Sequence, residues 1–166
     1  MRILAKAFFV GVVLAAAGAS YGQTQTFSVT LRGPEEVTAI GGDPDGFGSG
    51  IVTLNGATDT VTWNIQYGNL DPVTDSHIHI GGFGVGGSVV IPFGIGNTAG
   101  TPNTISGSVV DADVDAVLAN PSGYYVNIHT GPYPQGAIRG QVPEPASLSL
   151  LGLAGLGLLR RRRVCH

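Results

Sequence analysis

Cysteine is almost absent from this chain. The single Cys165 lies next to the C-terminus, beyond four arginines. An intrachain disulfide is therefore excluded, and the folded part must be stabilised by its core alone. Cations are scarce as well. Arg2, Lys6, Arg160, Arg161, Arg162 and Arg163 crowd the two ends, so only Arg32 and Arg139 remain between Gln23 and Val142, against ten carboxylates, a net charge of −8. A surface of that sign repels nucleic acid and anionic lipid and suits divalent cations or cationic partners. No nucleophile elbow, phosphate loop or paired-carboxylate motif occurs, so no catalytic residue is nominated. Histidine is limited to four residues, which makes their placement informative.

What is present begins with a leader. Met1-Arg2-Ile3-Leu4-Ala5-Lys6 is basic, Ala7 to Ala17 is apolar, and Gly18, Ala19, Ser20 and Gly22 are small. That order describes a secretory signal peptide over 1–22, an apolar helix cleaved after Ala19 or Gly22. At the other end, Pro143-Glu144-Pro145 precedes an apolar run from Ala146 to Leu159 and then Arg160 to Arg163. As a helix, those 14 residues would extend only ~21 Å, marginal for a bilayer. The arginines belong on the cytoplasmic side, with the bulk of the chain outside.

Between the ends, alternation dominates. Phe27-Ser28-Val29-Thr30-Leu31 and Val61-Thr62-Trp63-Asn64-Ile65-Gln66-Tyr67 each place apolar residues on one face, as half-buried strands do. Further strands are expected at Gly48 to Leu54, around His77, at Ser88 to Phe93 (with Pro92 marking an edge or an end), at Thr104 to Val110, around His129 and at Ala137 to Val142. Asp111 to Asn120 is the one helical candidate, with Val114, Val117 and Leu118 on one side. The fold class is all-β: an antiparallel, Greek-key-like sandwich or barrel of about seven or eight strands over residues 23–142, with one short helix.

The histidines follow strand parity. In Ser76-His77-Ile78-His79-Ile80, His77 and His79 share one face while Ile78 and Ile80 share the other. In Tyr124-Tyr125-Val126-Asn127-Ile128-His129, Asn127 and His129 lie opposite Val126 and Ile128. If Ile78, Ile80, Val126 and Ile128 face the core, His77, His79 and His129 lie off it. Three imidazoles and water would make an open copper or zinc site, whereas a hydrogen-bonded trio would be structural. The site requires that the two strands be neighbours. Arg139, one of two cations among ten acids, serves either in an ion pair or in guiding an anion. Asp111-Ala112-Asp113-Val114-Asp115 lacks the glycine and the glutamate of a calcium-binding EF-hand loop and reads as helix N-terminal acids.

Two resemblances, and a third weaker one, carry these residues further. Pro143-Glu144-Pro145, the apolar run and the arginines together resemble the PEP-CTERM sorting signal of certain bacteria. That likeness implies recognition and removal of the tail by an exosortase, a membrane transpeptidase-like enzyme, after transient anchoring through 146–159, with the protein exported by the secretion machinery to the cell surface. Glu35-Glu36-Val37, His77-Ile78-His79-Ile80-Gly81, Tyr125-Val126-Asn127-Ile128-His129-Thr130 and Gly136-Ala137-Ile138-Arg139-Gly140-Gln141-Val142 resemble the CHRD domain, named after chordin. This second likeness implies an extracellular β-sandwich, a structural or binding module whose partner would be an extracellular polysaccharide or a matrix protein. A weaker fold-level likeness to Cu/Zn superoxide dismutase equates His77, His79 and His129 with copper ligands and Arg139 with the anion-guiding arginine. The domain holds no fourth histidine, no histidine-rich zinc loop and no disulfide cysteines.

Overall fold

The computed structural model describes residues 22–95 and 103–144. Residues 1–21 of the signal segment expected over 1–22, most of the tail, and with them Pro145, Arg160, Arg161, Arg162 and Arg163, lie outside the described residues. Eight strands form one sheet: β1 (Thr24–Arg32), β2 (Phe47–Asn55), β3 (Thr60–Gly68), β4 (Val73–Ile80), β5 (Val89–Pro92), β6 (Thr104–Val110), β7 (Tyr124–Thr130) and β8 (Ile138–Gln141). Their order is β5-β4-β7-β8-β1-β2-β3-β6, and every pairing is antiparallel. The neighbours β4 and β7, β8 and β1, and β3 and β6 are distant in sequence, which is Greek-key connectivity. The sheet curls into a nearly closed barrel with β5 and β6 as its edges.

Alternation sets the register. Phe27, Val29 and Leu31 of β1, Val52 and Leu54 of β2, and Val61, Trp63 and Ile65 of β3 all point into the barrel and are buried. Ile78, Ile91, Ile105, Val126, Ile128 and Ile138 complete the lining from the other strands. Trp63 stacks on Phe93, just past β5, with ring centroids 4.2 Å apart, an aromatic tie from β3 towards the β5 edge. The helix α1 (Val114–Ala119) buries Val114 and Val117 in the same core. It is shorter than the 111–120 expected, because Asp111 and Asp113 form a turn, with Asp113 N–H donating to Asp111 Oδ1 at 3.0 Å.

The outer face of the barrel has two characters. Over β1, β2, β3 and β6 it is open to solvent, and cross-strand rows such as Thr26–Thr53–Thr62–Ser108 carry hydroxyls. Over β4, β7 and β8 it is covered, and all seven residues of β7 are buried. Segments 33–46, 81–88 and 131–137 lie across that side, so the polar residues of β7 form a second buried layer outside the apolar one.

Candidate metal centre

β4 and β7 are adjacent, and their register sets Asp75 opposite His129, His77 opposite Asn127 and His79 opposite Tyr125. Parity then gathers Asp75, His77, His79, Tyr125, Asn127 and His129 on the covered outer face. One expectation fails here. Ile80 does not follow Ile78 into the core; it is 48% exposed, at the end of β4 where the barrel wall gives way to the 81–88 loop. The histidines do lie off the core, yet His79 and His129 are each only 7% exposed, because the loops close over them.

Each imidazole is held from outside by an acceptor that cannot donate. His77 Nε2 donates to Asp75 Oδ2 at 3.0 Å. His79 Nδ1 donates to the carbonyl of Gly87 at 2.9 Å, and His129 Nδ1 to that of Pro134 at 3.1 Å. In the neutral rings these partners fix the tautomers, leaving the lone pairs on His77 Nδ1, His79 Nε2 and His129 Nε2. One ring nitrogen from each of the three residues lies within 4.8 Å of the others, a spacing at which they could share a metal ion. His77 Nδ1 and His129 Nε2 are 3.1 Å apart. Two lone pairs at that separation repel unless a proton or a cation lies between them. His79 Nε2 is buried with no hydrogen-bond partner.

A proton is a poor solution at neutral pH. Burial is the largest influence on all three imidazoles and pulls each below its ordinary value of 6.5; Asp75 partly offsets this at His77, and the histidines further disfavour one another's charged forms. A metal ion answers the same geometry with coordinate bonds. Two nitrogens ~2.0–2.1 Å from a tetrahedral ion lie roughly 3.3 Å apart, close to the observed pair. The His77–His129 pair has that spacing, while the three nitrogens together span up to 4.8 Å, so a transition metal would have to draw the set together; Asp75 and two main-chain carbonyls orient the three rings.

The supports of the site are local. Gly87 passes so close to β4 that a Cβ would collide with Ile80 O, and its N–H donates to Tyr125 Oη at 3.2 Å. Tyr125 stacks on His79 at 5.0 Å, and the Arg139 guanidinium lies 3.5 Å over the other partner of that stack, the Tyr125 ring. Arg139 is 2% exposed and donates from Nη2 to Gly82 O at 2.8 Å. It thus sits deep beside Tyr125, not among the residues lining the pocket described next, and the carboxyl that feels its charge is Glu36. A pocket of about 370 Å³ opens beside His79 and His129, with Glu36, Thr38, Tyr125 and Gln135 among its walls. Asp75 and Glu36 were not singled out as site residues from the sequence. Parity could have found Asp75, two residues before His77; nothing local marks Glu36.

The described residues form an antiparallel Greek-key barrel with a covered layer of histidines outside its core. The profile described as CHRD domain matches residues 27–142, and the chain belongs to the CHRD domain family, which is not an enzymatic family. The profile described as PEP-CTERM protein-sorting motif matches residues 141–163, which implies export and exosortase-dependent sorting to the cell surface. No curated protein and no solved structure matches the chain. Among the described residues no helix is long and apolar enough to cross a membrane.

Proposed function

We propose that this exported CHRD protein is a surface module that binds a copper or zinc ion through His77 Nδ1, His79 Nε2 and His129 Nε2. The observation that carries this reading is the 3.1 Å approach of two ring nitrogens whose outer partners both demand N–H on the opposite side of the ring. The third nitrogen, on His79, has no protein partner at all. The ion would neutralise the crowding of lone pairs that the chain otherwise leaves unresolved. Three protein ligands leave at least one coordination position free, the arrangement of an open site rather than a closed structural one.

The test is metal content. The purified mature protein, dialysed against copper(II) and separately zinc, is expected to retain one ion per chain and to melt at a higher temperature with it. His79→Ala and His129→Ala should lose both effects. A protein whose melting temperature ignores both metals would overturn the assignment.

A structural or binding role in the matrix draws on a different surface. The outer face of β1, β2, β3 and β6 carries Thr26, Ser28, Thr30, Ser49, Thr62, Asn64 and Ser108, with Arg32 at one corner, the exposed apolar Phe47, Ile51 and Val110, and no carboxylate. Such a hydroxyl-rich sheet, with a single charge at Arg32 and apolar side chains between the hydroxyls, suits a neutral polysaccharide better than a strongly charged partner. Retention of the protein on a neutral polysaccharide matrix, independent of salt and lost in Thr62→Glu, tests that contact.

A further inference from the structure

Among the described residues ten large hydrophobic side chains are exposed, and four of them, Ile80, Phe83, Val85 and Val89, fall in one stretch. Ile80 to Val89 contains no charged residue. It runs from the end of β4 to the start of β5. Phe83 is 79% exposed there. It stands at the apex of a tight turn, in which the Val85 N–H donates to Gly82 O at 3.0 Å and Gly84 adopts a φ of +73°. A type II turn needs glycine at that third position. The phenylalanine is thus held out in solvent by a built turn.

The base of the same loop is fastened to the point where the chain leaves the barrel. Gly81 N–H donates to Gly123 O at 2.7 Å, and Gly81 O accepts from Gln141 Nε2 at 2.9 Å. The same nitrogen lies 2.8 Å from Ser122 O and 2.7 Å from Tyr124 O. Val142, fully buried, donates its N–H to Tyr124 O, and Ser122 Oγ donates to Glu144 Oε1 at 3.2 Å. The apolar run begins at Ala146, four residues past Val142. Four residues span at most ~14 Å. The headgroup layer on each side of a bilayer's hydrocarbon core is about 5–7 Å thick. With 146–159 anchored in a bilayer, the part of the barrel that carries Gly81, Ser122 and Gln141 rests at the membrane surface, and Phe83 follows Gly81 by two residues.

Resting on that anchoring and independent of the metal reading, we propose that Ile80, Phe83, Val85 and Val89 form a membrane-docking surface that settles into the interfacial layer of a zwitterionic bilayer while the tail is in place. Lipid is the occupant because the tail delivers this loop to a surface of that chemistry. Apolar side chains on an uncharged stretch give up water there, as the apolar faces of interfacial segments do. The net charge of −8 over 23–142 disfavours an anionic surface. Four side chains alone bind weakly; the tether makes their contact intramolecular. Removal of the tail would release the loop, so the contact belongs to the anchored precursor.

The test uses the exported chain with its tail retained, reconstituted in phosphatidylcholine vesicles, with lipid brominated along its acyl chains as the probe. Bromine quenches an indole that touches it. The native Trp63 is buried inside the barrel and serves as the unquenched reference. Phe83→Trp is expected to lose most of the emission that it adds over wild type, whereas Phe47→Trp, on the outer face of β2, should keep its own. Vesicle flotation shows that the tail is inserted. Floating chains whose Phe83→Trp emission is the same in brominated and ordinary lipid overturn the docking surface. Quenching of Phe47→Trp in place of Phe83→Trp moves the contact to the open sheet and overturns it as well. Quenching that requires anionic lipid overturns the assignment of the partner. Phe83→Trp emission that responds to protein concentration and not to brominated lipid gives the face to a second copy of the chain, against the proposal. A chain that does not float fails the anchoring itself, and this inference falls with it while the metal reading stands.

Discussion

Asp75→Asn is the substitution that interrogates the site most directly. Of the three outer acceptors that orient the histidines, two are main-chain carbonyls, at Gly87 and Pro134. Only Asp75 is a side chain, and it holds His77 Nε2 at 3.0 Å. Asparagine keeps an acceptor oxygen there but removes the charge that makes the opposite nitrogen a stronger donor to a metal. Loss of such an outer partner costs ~10–100-fold in metal affinity. Asp75 is 47% exposed, so solvent screening places the expected loss near the lower end, about tenfold or ~1.4 kcal/mol. With metal at a hundred times the wild-type Kd, binding adds about 2.7 kcal/mol of stability; at ten times the variant's Kd it adds roughly 1.4. The metal-dependent rise in Tm should therefore shrink by roughly 4 °C for a domain of this size. Competition against a chromophoric chelator measures the affinity, and scanning calorimetry the shift. Asp75→Ala, which removes the acceptor as well, should lose more. Wild-type affinity in both variants would show that His77 is not a ligand held through its Nε2.

The pH dependence of the metal-free protein has two opposed components. Folded imidazoles lie below 6.5, so they contribute stability that is present above 6.5 and is lost as pH falls through that value towards their folded ones. Glu36 is raised from 4.5 to about 7, so its contribution is complete below 4.5 and is lost as pH rises through 7. The Tm advantage of Glu36→Gln over wild type should consequently grow from pH 5 to about 7.5 and then level off; a constant difference across that range refutes the burial of its charge. Gly50→Ala should cost roughly 1–3 kcal/mol in urea unfolding, because the new Cβ would strike Asn64 O and Ile65 Cα on β3, while metal affinity of the folded fraction stays unchanged; a loss below 0.5 kcal/mol contradicts that close contact between β2 and β3. Mass spectrometry of the native mature protein should show a chain lacking Arg160 to His166, and an intact C-terminus from cells with an active exosortase would contradict removal of the tail.

The strands were readable because their inner faces are apolar and their outer faces, over β1 and β3, are polar. Val61, Trp63 and Ile65 alternate in sequence and are all buried. Parity also placed His77, His79 and His129 on one side, but it could not establish that β4 and β7 are neighbours. That adjacency comes from a crossover between strands about fifty residues apart, and no local pattern encodes it. The depth of the histidines was equally illegible. β7 alternates like a half-exposed strand, yet its polar side is buried under loops whose glycines and prolines read only as turns. Ile80 errs the other way: its apolar side chain signals core, while its place at the end of β4 leaves it in solvent. Glu36 stands out in the sequence only as part of Glu35-Glu36-Val37, since the pocket it lines is assembled from segments close to a hundred residues apart.

The histidine layer lies outside the hydrophobic barrel, and this separates inheritance of the fold from inheritance of the site. Ile78, Val126 and Ile128 hold β4 and β7 in the wall of the barrel through their inner faces, irrespective of what stands at 77, 79 and 129. A lineage could exchange these three residues for serine or asparagine and keep the same barrel, or reacquire them one at a time without passing through an unfolded intermediate. Sequences of this architecture are thus free to differ in ligand chemistry while sharing one scaffold. On the metal reading proposed above, the histidine triplet at 77, 79 and 129, more than the domain boundary, is the character by which metal-binding chains of this architecture would be sorted from those that only build the surface.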